Sequence, residues 1–316
     1  MNTKSIQRFI LVAKITLFFI FLVVIAGAVV RATGSGMGCP DWPKCFGKWI
    51  PPTDVSQLPA NYKEVYAGEH HAVAEFNALN TWTEYLNRLA GALLGILIFI
   101  QLILSLKIKK YDRRIFSLSL LSFFLVGFQG WLGAKVVSSN LAPVKITIHM
   151  VVALVILALG ISIIYRAKKL IQEKPENEIQ PIIKKLSLLV LAFTIFQILM
   201  GTQIREAVDV LLKNFDAVFR GEIVDNLGIV FKIHRSFSIL IMAINFWMIY
   251  KIIKTESTSA LKYLSRSLAG LILMEVLVGV ILSRFALPAA LQPVHLLLAC
   301  MVYAIQFLII LKVWKR

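Results

Sequence analysis

The chain has 316 residues, of which 58% are hydrophobic and 16% charged, against roughly 45–50% apolar and about 25% charged in soluble domains. With a mean hydropathy of +0.78 and apolar runs of about 20 residues recurring along its length, a water-soluble globule is excluded and a multi-pass membrane protein is implied. The net charge of +17, from 34 Lys and Arg against 17 Asp and Glu, follows from basic connections between apolar runs, as cytoplasmic loops show. It does not call for nucleic acid.

Apolar windows predict eight transmembrane helices, near 9–31, 83–106, 115–137, 144–166, 184–206, 229–253, 265–286 and 290–312. The first follows Lys4, Arg8 and Lys14 and competes with a secretory signal peptide; its length and the motif-bearing loop after it favour a span. Lys107, Lys109, Lys110, Arg113 and Arg114 occupy one connection. Arg166, Lys168, Lys169, Lys174, Lys184 and Lys185 fill a second, and Lys251, Lys254, Lys262 and Arg266 a third. These loops and both termini are expected on the cytoplasmic side of the cell inner membrane. The long connections 32–82 and 207–228, with acids such as Asp41, Asp54, Glu64, Glu69, Asp209, Asp216, Glu222 and Asp225, are expected outside.

Three cysteines are present. Cys39 and Cys45 share one polar loop, whereas Cys300 sits in an apolar run, so any disulfide joins Cys39 to Cys45.

The two halves resemble each other. Glu84-Tyr-Leu-Asn87-Arg88 opens the second span, and Phe231-Lys-Ile-His234-Arg235 opens the sixth. Asn87 precedes His149 by 62 residues and His234 precedes His295 by 61. Gln129 and Glu275 each lie 20 residues before the histidine that follows, and each has a glycine four residues later, Gly133 and Gly279. The expected fold is therefore all-α: eight transmembrane helices as two tandem pseudo-symmetric four-helix bundles, over 1–170 and 171–316, related by an axis along the membrane normal.

Three of five histidines, His149, His234 and His295, fall inside predicted spans, where ionisable groups are rare and expensive. Each lies one or two turns below the outer end, about 5–10 Å into the hydrocarbon at 1.5 Å rise per residue. Matched depth lets imidazoles converge. A His234 and His295 pair in an apolar bundle offers axial ligation to heme iron; zinc fits less well, because no Cys, Asp or Glu at ligand spacing completes a tetrahedral set. The competing reading makes each histidine a hydrogen-bonding partner of a neighbouring helix. Heme propionates need cations, and Arg31, Arg88, Arg205, Arg235 and Arg284 all fall near outer helix ends, where snorkelling is the alternative. Glu84 shares a helix face with Asn87 and could exchange a proton or stabilise developing positive charge, or be an interfacial glutamate solvated by water.

The stretch Arg31-Ala-Thr-Gly-Ser-Gly-Met-Gly-Cys-Pro-Asp-Trp-Pro-Lys-Cys-Phe-Gly-Lys-Trp-Ile-Pro-Pro52, with Glu84-Tyr-Leu-Asn-Arg88, His149, Ile233-His-Arg235 and Pro293-Val-His295, resembles the heme A synthases of bacteria and mitochondria. That resemblance implies oxidation of a ring methyl of heme O to the formyl of heme A, for cytochrome oxidase assembly. It implies a heme b cofactor on His234 and His295 in the C-terminal half, substrate heme on His149 in the N-terminal half, and Glu84 as the catalytic carboxylate. Arg88, Arg205 and Arg235 are the expected propionate bases. Cys39 and Cys45 match paired cysteines that serve redox relay or heme delivery. Heme O, heme O synthase and cytochrome oxidase assembly proteins are the implied partners, with a homo-oligomer left open.

One position departs from the family: Asn87 stands where a histidine is usual, and a carboxamide is a poor iron ligand. Substrate heme is then five-coordinate on His149, or His70 or His71 supplies the second ligand, or this half has lost catalysis. The alternatives to a synthase are a di-heme cytochrome taking electrons from quinol and a non-catalytic heme transporter or assembly scaffold.

Overall fold

The computed structural model describes residues 3–67, 75–139, 141–171, 180–214, 223–255 and 257–314. His70 and His71, and the loop charges Glu69, Lys174, Asp216 and Glu222, lie outside them. Among the described residues the elements are helical: α1 (Thr3–Ala32), a short α2 (Tyr62–Val65), α3 (Ala78–Ile108), α4 (Arg113–Ser138), α5 (Pro143–Lys169), α6 (Pro181–Asn214), α7 (Gly228–Lys254), α8 (Ser259–Arg284) and α9 (Leu291–Val313). All but α2 are long and apolar enough to cross a membrane, and only 17–33% of the residues in their most apolar windows are buried within the protein. The remaining apolar surface faces lipid, as a multi-pass membrane protein requires.

Local chemistry fixes the helix ends. Asn77 caps α3 by accepting the Asn80 N–H, Asp112 caps α4 by accepting from Arg114, and Thr258 caps α8 by accepting from Leu261. Proline opens α5 and α6, where its missing N–H costs nothing. The α8 cap explains why that helix starts six residues before the predicted 265. It ends at Arg284, short of the predicted 286, because Ala286 and Leu287 take left-handed backbone conformations, φ 54° and 56°, ahead of Pro288. The α6 helix runs past the predicted 206 to Asn214, since Val208 is buried with Ile223 and Leu227.

The chain divides into two compact units, Met1–Ala167 and Lys168–Arg316. In the first, α3 packs on α1 and α4. The α5 helix meets α4 where Gln129 bonds the His149 carbonyl, and meets α1 where Gly160 lies against Leu17 and Ile20. Arg166 on α5 pairs with Asp112 at 2.7 Å, so the residue that caps α4 also holds the far end of α5.

In the second unit α6, α7, α8 and α9 form a closed ring in that order, with α7 opposite α9. Its apolar cluster, including Ile183, Leu186, Met248, Ile252, Leu268 and Ile309, occupies the end of the ring remote from His234 and His295. Above it, Gln306 donates to Asn245 across the ring at 2.9 Å, and Asn245 donates to the Ile241 carbonyl at 2.8 Å. Both amides are fully buried. Each lies 11 residues after a histidine, Asn245 after His234 and Gln306 after His295. That interval is close to three helical turns, which places each amide below its histidine on one helix face, about 16 Å deeper.

Candidate functional site

Glycine is the residue that meets each imidazole. A Cβ on Gly133 would lie 3.6 Å from His149 Cε1, one on Gly201 3.8 Å from His234 Cε1, and one on Gly279 3.3 Å from His295 Cε1. The fourth member of the pattern is Gly27, whose Cβ would lie 3.8 Å from Asn87 Oδ1. Within each unit, then, two helices carry the imidazole or carboxamide and their neighbours carry a glycine that leaves room beside it. Small residues at such contacts let helices approach closely; here a side chain in place of the glycine would meet the ring or carboxamide.

Four residues before three of these glycines stands a polar group directed at the same histidine. Gln129 Nε2 donates to the His149 carbonyl and Gln197 Nε2 to the His234 carbonyl, each at 2.9 Å. Glu275 Oε1 instead lies 3.1 Å from His295 Nδ1. The ring Nδ1 atoms of His149, His234 and His295 are all buried without a hydrogen-bond partner, and His295 Nδ1 alone of the three has a carboxylate beside it. His234 on α7 and His295 on α9 stand on opposite helices of the ring in the second unit. The role of Gln197 and Gly201 was not anticipated from the sequence, although the Gln-x-x-x-Gly spacing repeats that of Gln129 and Gly133.

Glu84 sits in a different setting, at the start of α3 beneath the cysteine loop. The residue is 3% exposed; Oε2 accepts the Cys39 N–H at 2.9 Å, and Oε1 pairs with Arg88. Arg88 spreads its remaining donors over three loop carbonyls: Nη1 to Asp41 at 2.6 Å and Lys44 at 3.0 Å, Nη2 to Cys39 at 3.1 Å. One planar fork thus holds the loop and the buried acid together, which a lysine point charge could not do.

Cys39 and Cys45 form a disulfide with a Cα–Cα separation of 4.9 Å, as expected, and Cys300 is free and buried. Asp41 closes the loop by accepting the N–H groups of Phe46 and Gly47 at 2.6 and 2.9 Å. Phe46 meets Tyr62, Tyr66 and Phe76 edge to face at ring separations of 5.5–6.1 Å. Gly38 presses the loop onto α3: Thr81 Oγ1 donates to its carbonyl at 2.9 Å, and a Cβ there would come within 2.5 Å of the Asn80 carbonyl oxygen.

The other basic residues differ in commitment. Arg205 pairs with Asp209 at 2.7 Å and donates to Gln292 at the start of α9. Arg235 is exposed and lies over the Phe231 ring at 5.8 Å.

A family model described as cytochrome oxidase assembly protein, COX15-CtaA, matches residues 11–307. A protein of Flavobacterium johnsoniae named heme A synthase is 22% identical over 316 residues, covering 89% of this chain and 90% of that protein. Heme A synthases of Shewanella oneidensis and Bacillus cereus are each 32% identical over shorter stretches, 137 and 151 residues, or 43% and 47% of this chain. Those stretches span 39% and 41% of the respective relatives, less than half their length. With nearly the whole chain covered by the family match, and the disulfide loop and intramembrane histidines in one molecule, the protein belongs to the cytochrome oxidase assembly protein family.

Proposed function

We propose that this protein is a heme A synthase, a membrane oxidoreductase that converts a ring methyl of heme O to the formyl group of heme A. The observation that carries the proposal is the His234 and His295 pair: two imidazoles on opposite helices of one ring, each facing a glycine of the neighbouring helix.

The residues of the second unit fit heme b as the resident cofactor. His234 and His295 would take the iron, Arg205 and Arg235 would face propionates, and the Asn245–Gln306 bridge lies beneath. Bound there, heme b supplies one-electron transfer. The first half, taken as 1–170, would hold the substrate, and the second, 171–316, the cofactor. His149, with Gly133 beside it, is the proposed ligand of substrate heme iron, and Asn87 leaves the opposite side open. Glu84 is the proposed catalytic carboxylate. Its Oε2, held by the Cys39 amide, is positioned to take or give a proton or to stabilise positive charge at the reacting carbon, while Arg88 maintains its orientation; the propionate role expected of Arg88 is not proposed, because all five of its N–H groups are committed to Glu84 and the loop carbonyls.

Basic loops at 107–114, 166–185 and 251–266 support cytoplasmic placement of both termini in the inner membrane, with the disulfide loop outside, where oxidation maintains it. Heme O synthase would supply the substrate, and cytochrome oxidase assembly proteins would receive the product.

The test is to express the full chain with a source of heme O, extract the hemes and separate them by chromatography. Wild type is expected to yield heme A, and Glu84→Gln to yield heme O only. Unconverted heme O in a wild type whose pigment reduces and reoxidises would identify an electron-transfer cytochrome. Undiminished heme A in Glu84→Gln would remove the carboxylate from the chemistry and favour a carrier.

A further inference from the structure

The three polar residues that lie four positions before a histidine-facing glycine do not act alike. Gln129 and Gln197 use their N–H groups on the backbone carbonyl of the histidine they face, leaving the ring Nδ1 without a partner. A glutamate has no amide N–H with which to make this bond. Glu275 therefore turns to the ring, with Oε1 3.1 Å from His295 Nδ1. Its Oε2 is buried without a hydrogen-bond partner, and His295 is its one ion-pair partner among the described residues. A carboxylate in an apolar span carries a large desolvation cost, so its presence where the repeat otherwise has glutamine calls for a function.

We propose that Glu275 is a positioning residue for His295, holding Nδ1 toward the carboxylate so that Nε2 is the nitrogen offered to heme b iron, and lowering the reduction potential of that heme. The proposal rests on the assignment of His234 and His295 as heme ligands. A carboxylate beside Nδ1 favours the tautomer whose proton is on Nδ1, which frees the Nε2 lone pair for a metal and raises the basicity of the ligand. Negative charge near the iron stabilises the ferric state over the ferrous state. The effect is strong because the surroundings are of low dielectric. The two axial histidines are thus unequal: His234 has a backbone-directed amide behind it, and His295 has a carboxylate.

Full-length protein purified from membranes provides the test, with heme b content and reduction potential measured by spectroelectrochemical titration for wild type, Glu275→Gln, Glu275→Asp and His295→Ala. Glu275→Gln recreates the amide arrangement of the other two positions. It is expected to raise the reduction potential and to weaken heme retention about 10–100-fold, the usual range for losing a partner behind a metal-bound histidine. Glu275→Asp, which keeps the charge, is expected to stay near the wild-type potential.

An unchanged potential in heme-loaded Glu275→Gln, when His295→Ala has lost the pigment, overturns the proposal and leaves the ligand assignment standing. Full wild-type pigment in His295→Ala overturns both. Should Glu275→Gln reach the membrane without heme, loaded Glu275→Asp of wild-type potential supports the proposal; heme loss in both variants assigns the position to packing and overturns it.

Discussion

The backbone N–H of Cys39 donates to Glu84 Oε2 at 2.9 Å, so one end of the disulfide is fastened directly to the buried carboxylate at the start of α3. Arg88 completes the arrangement by binding Glu84 and three carbonyls of the same loop. Anything that displaces the loop must disturb the acid.

Replacing Arg88 with alanine leaves a buried carboxylate without its cation, a loss of about 3–5 kcal/mol in comparable buried pairs. Thermal unfolding in detergent is expected to shift to markedly lower temperature, and the disulfide to be reduced faster by dithiothreitol. Arg88→Lys restores the charge without the fork and should recover only part of both. Wild-type reduction kinetics in Arg88→Ala would show that the loop is held by other contacts.

Gly38→Ala places a methyl group 2.5 Å from the Asn80 carbonyl oxygen, too close for any atom of α3 backbone to accommodate. The expected cost is about 1–3 kcal/mol, with lower heme A yield, because the loop must lift from the helix that carries Glu84. The readouts are the unfolding temperature and the extracted heme ratio.

Gly279 and Gly201 should respond differently to alanine. The new Cβ would lie 3.3 Å from His295 Cε1 in one case and 3.8 Å from His234 Cε1 in the other. Gly279→Ala is expected to reduce heme content per protein, as measured by pyridine hemochrome, whereas Gly201→Ala should retain it. Equal retention in the two variants would place heme away from these imidazoles.

Asn245→Leu or Gln306→Leu leaves one fully buried amide without its cross-ring partner, at about 1–3 kcal/mol. The double substitution removes both polar groups and is expected to cost less than the sum of the singles. A double-mutant cycle on thermal stability checks this, and additivity would show that the bridge contributes nothing of its own.

Asn87→His supplies the imidazole that the first unit lacks. Under the proposed assignment of substrate heme to His149, the added imidazole is expected to convert it from five-coordinate to six-coordinate, seen as loss of a high-spin ferric signal in electron paramagnetic resonance and loss of carbon monoxide binding. No spectral change would mean that His149 and residue 87 do not share a heme.

The eight spans, the choice of Cys39 and Cys45 as the disulfide and the repeated spacing around the histidines were legible in the order of the amino acids. These depend on hydrophobic length and on the cost of polar groups in lipid, which are written along the chain in one dimension. Which glycine meets which imidazole, the place of Gln197 in the same pattern, the grip of Arg88 on the loop carbonyls and the meeting of Asn245 with Gln306 across the ring emerge from packing in three dimensions. In helices apolar on nearly every face, the neighbour a residue touches is set by rotational phase and close packing against other helices. The extension of α6 to Asn214 has the same origin: its last turns are held by the distant Ile223 and Leu227, contacts that no local stretch of sequence encodes.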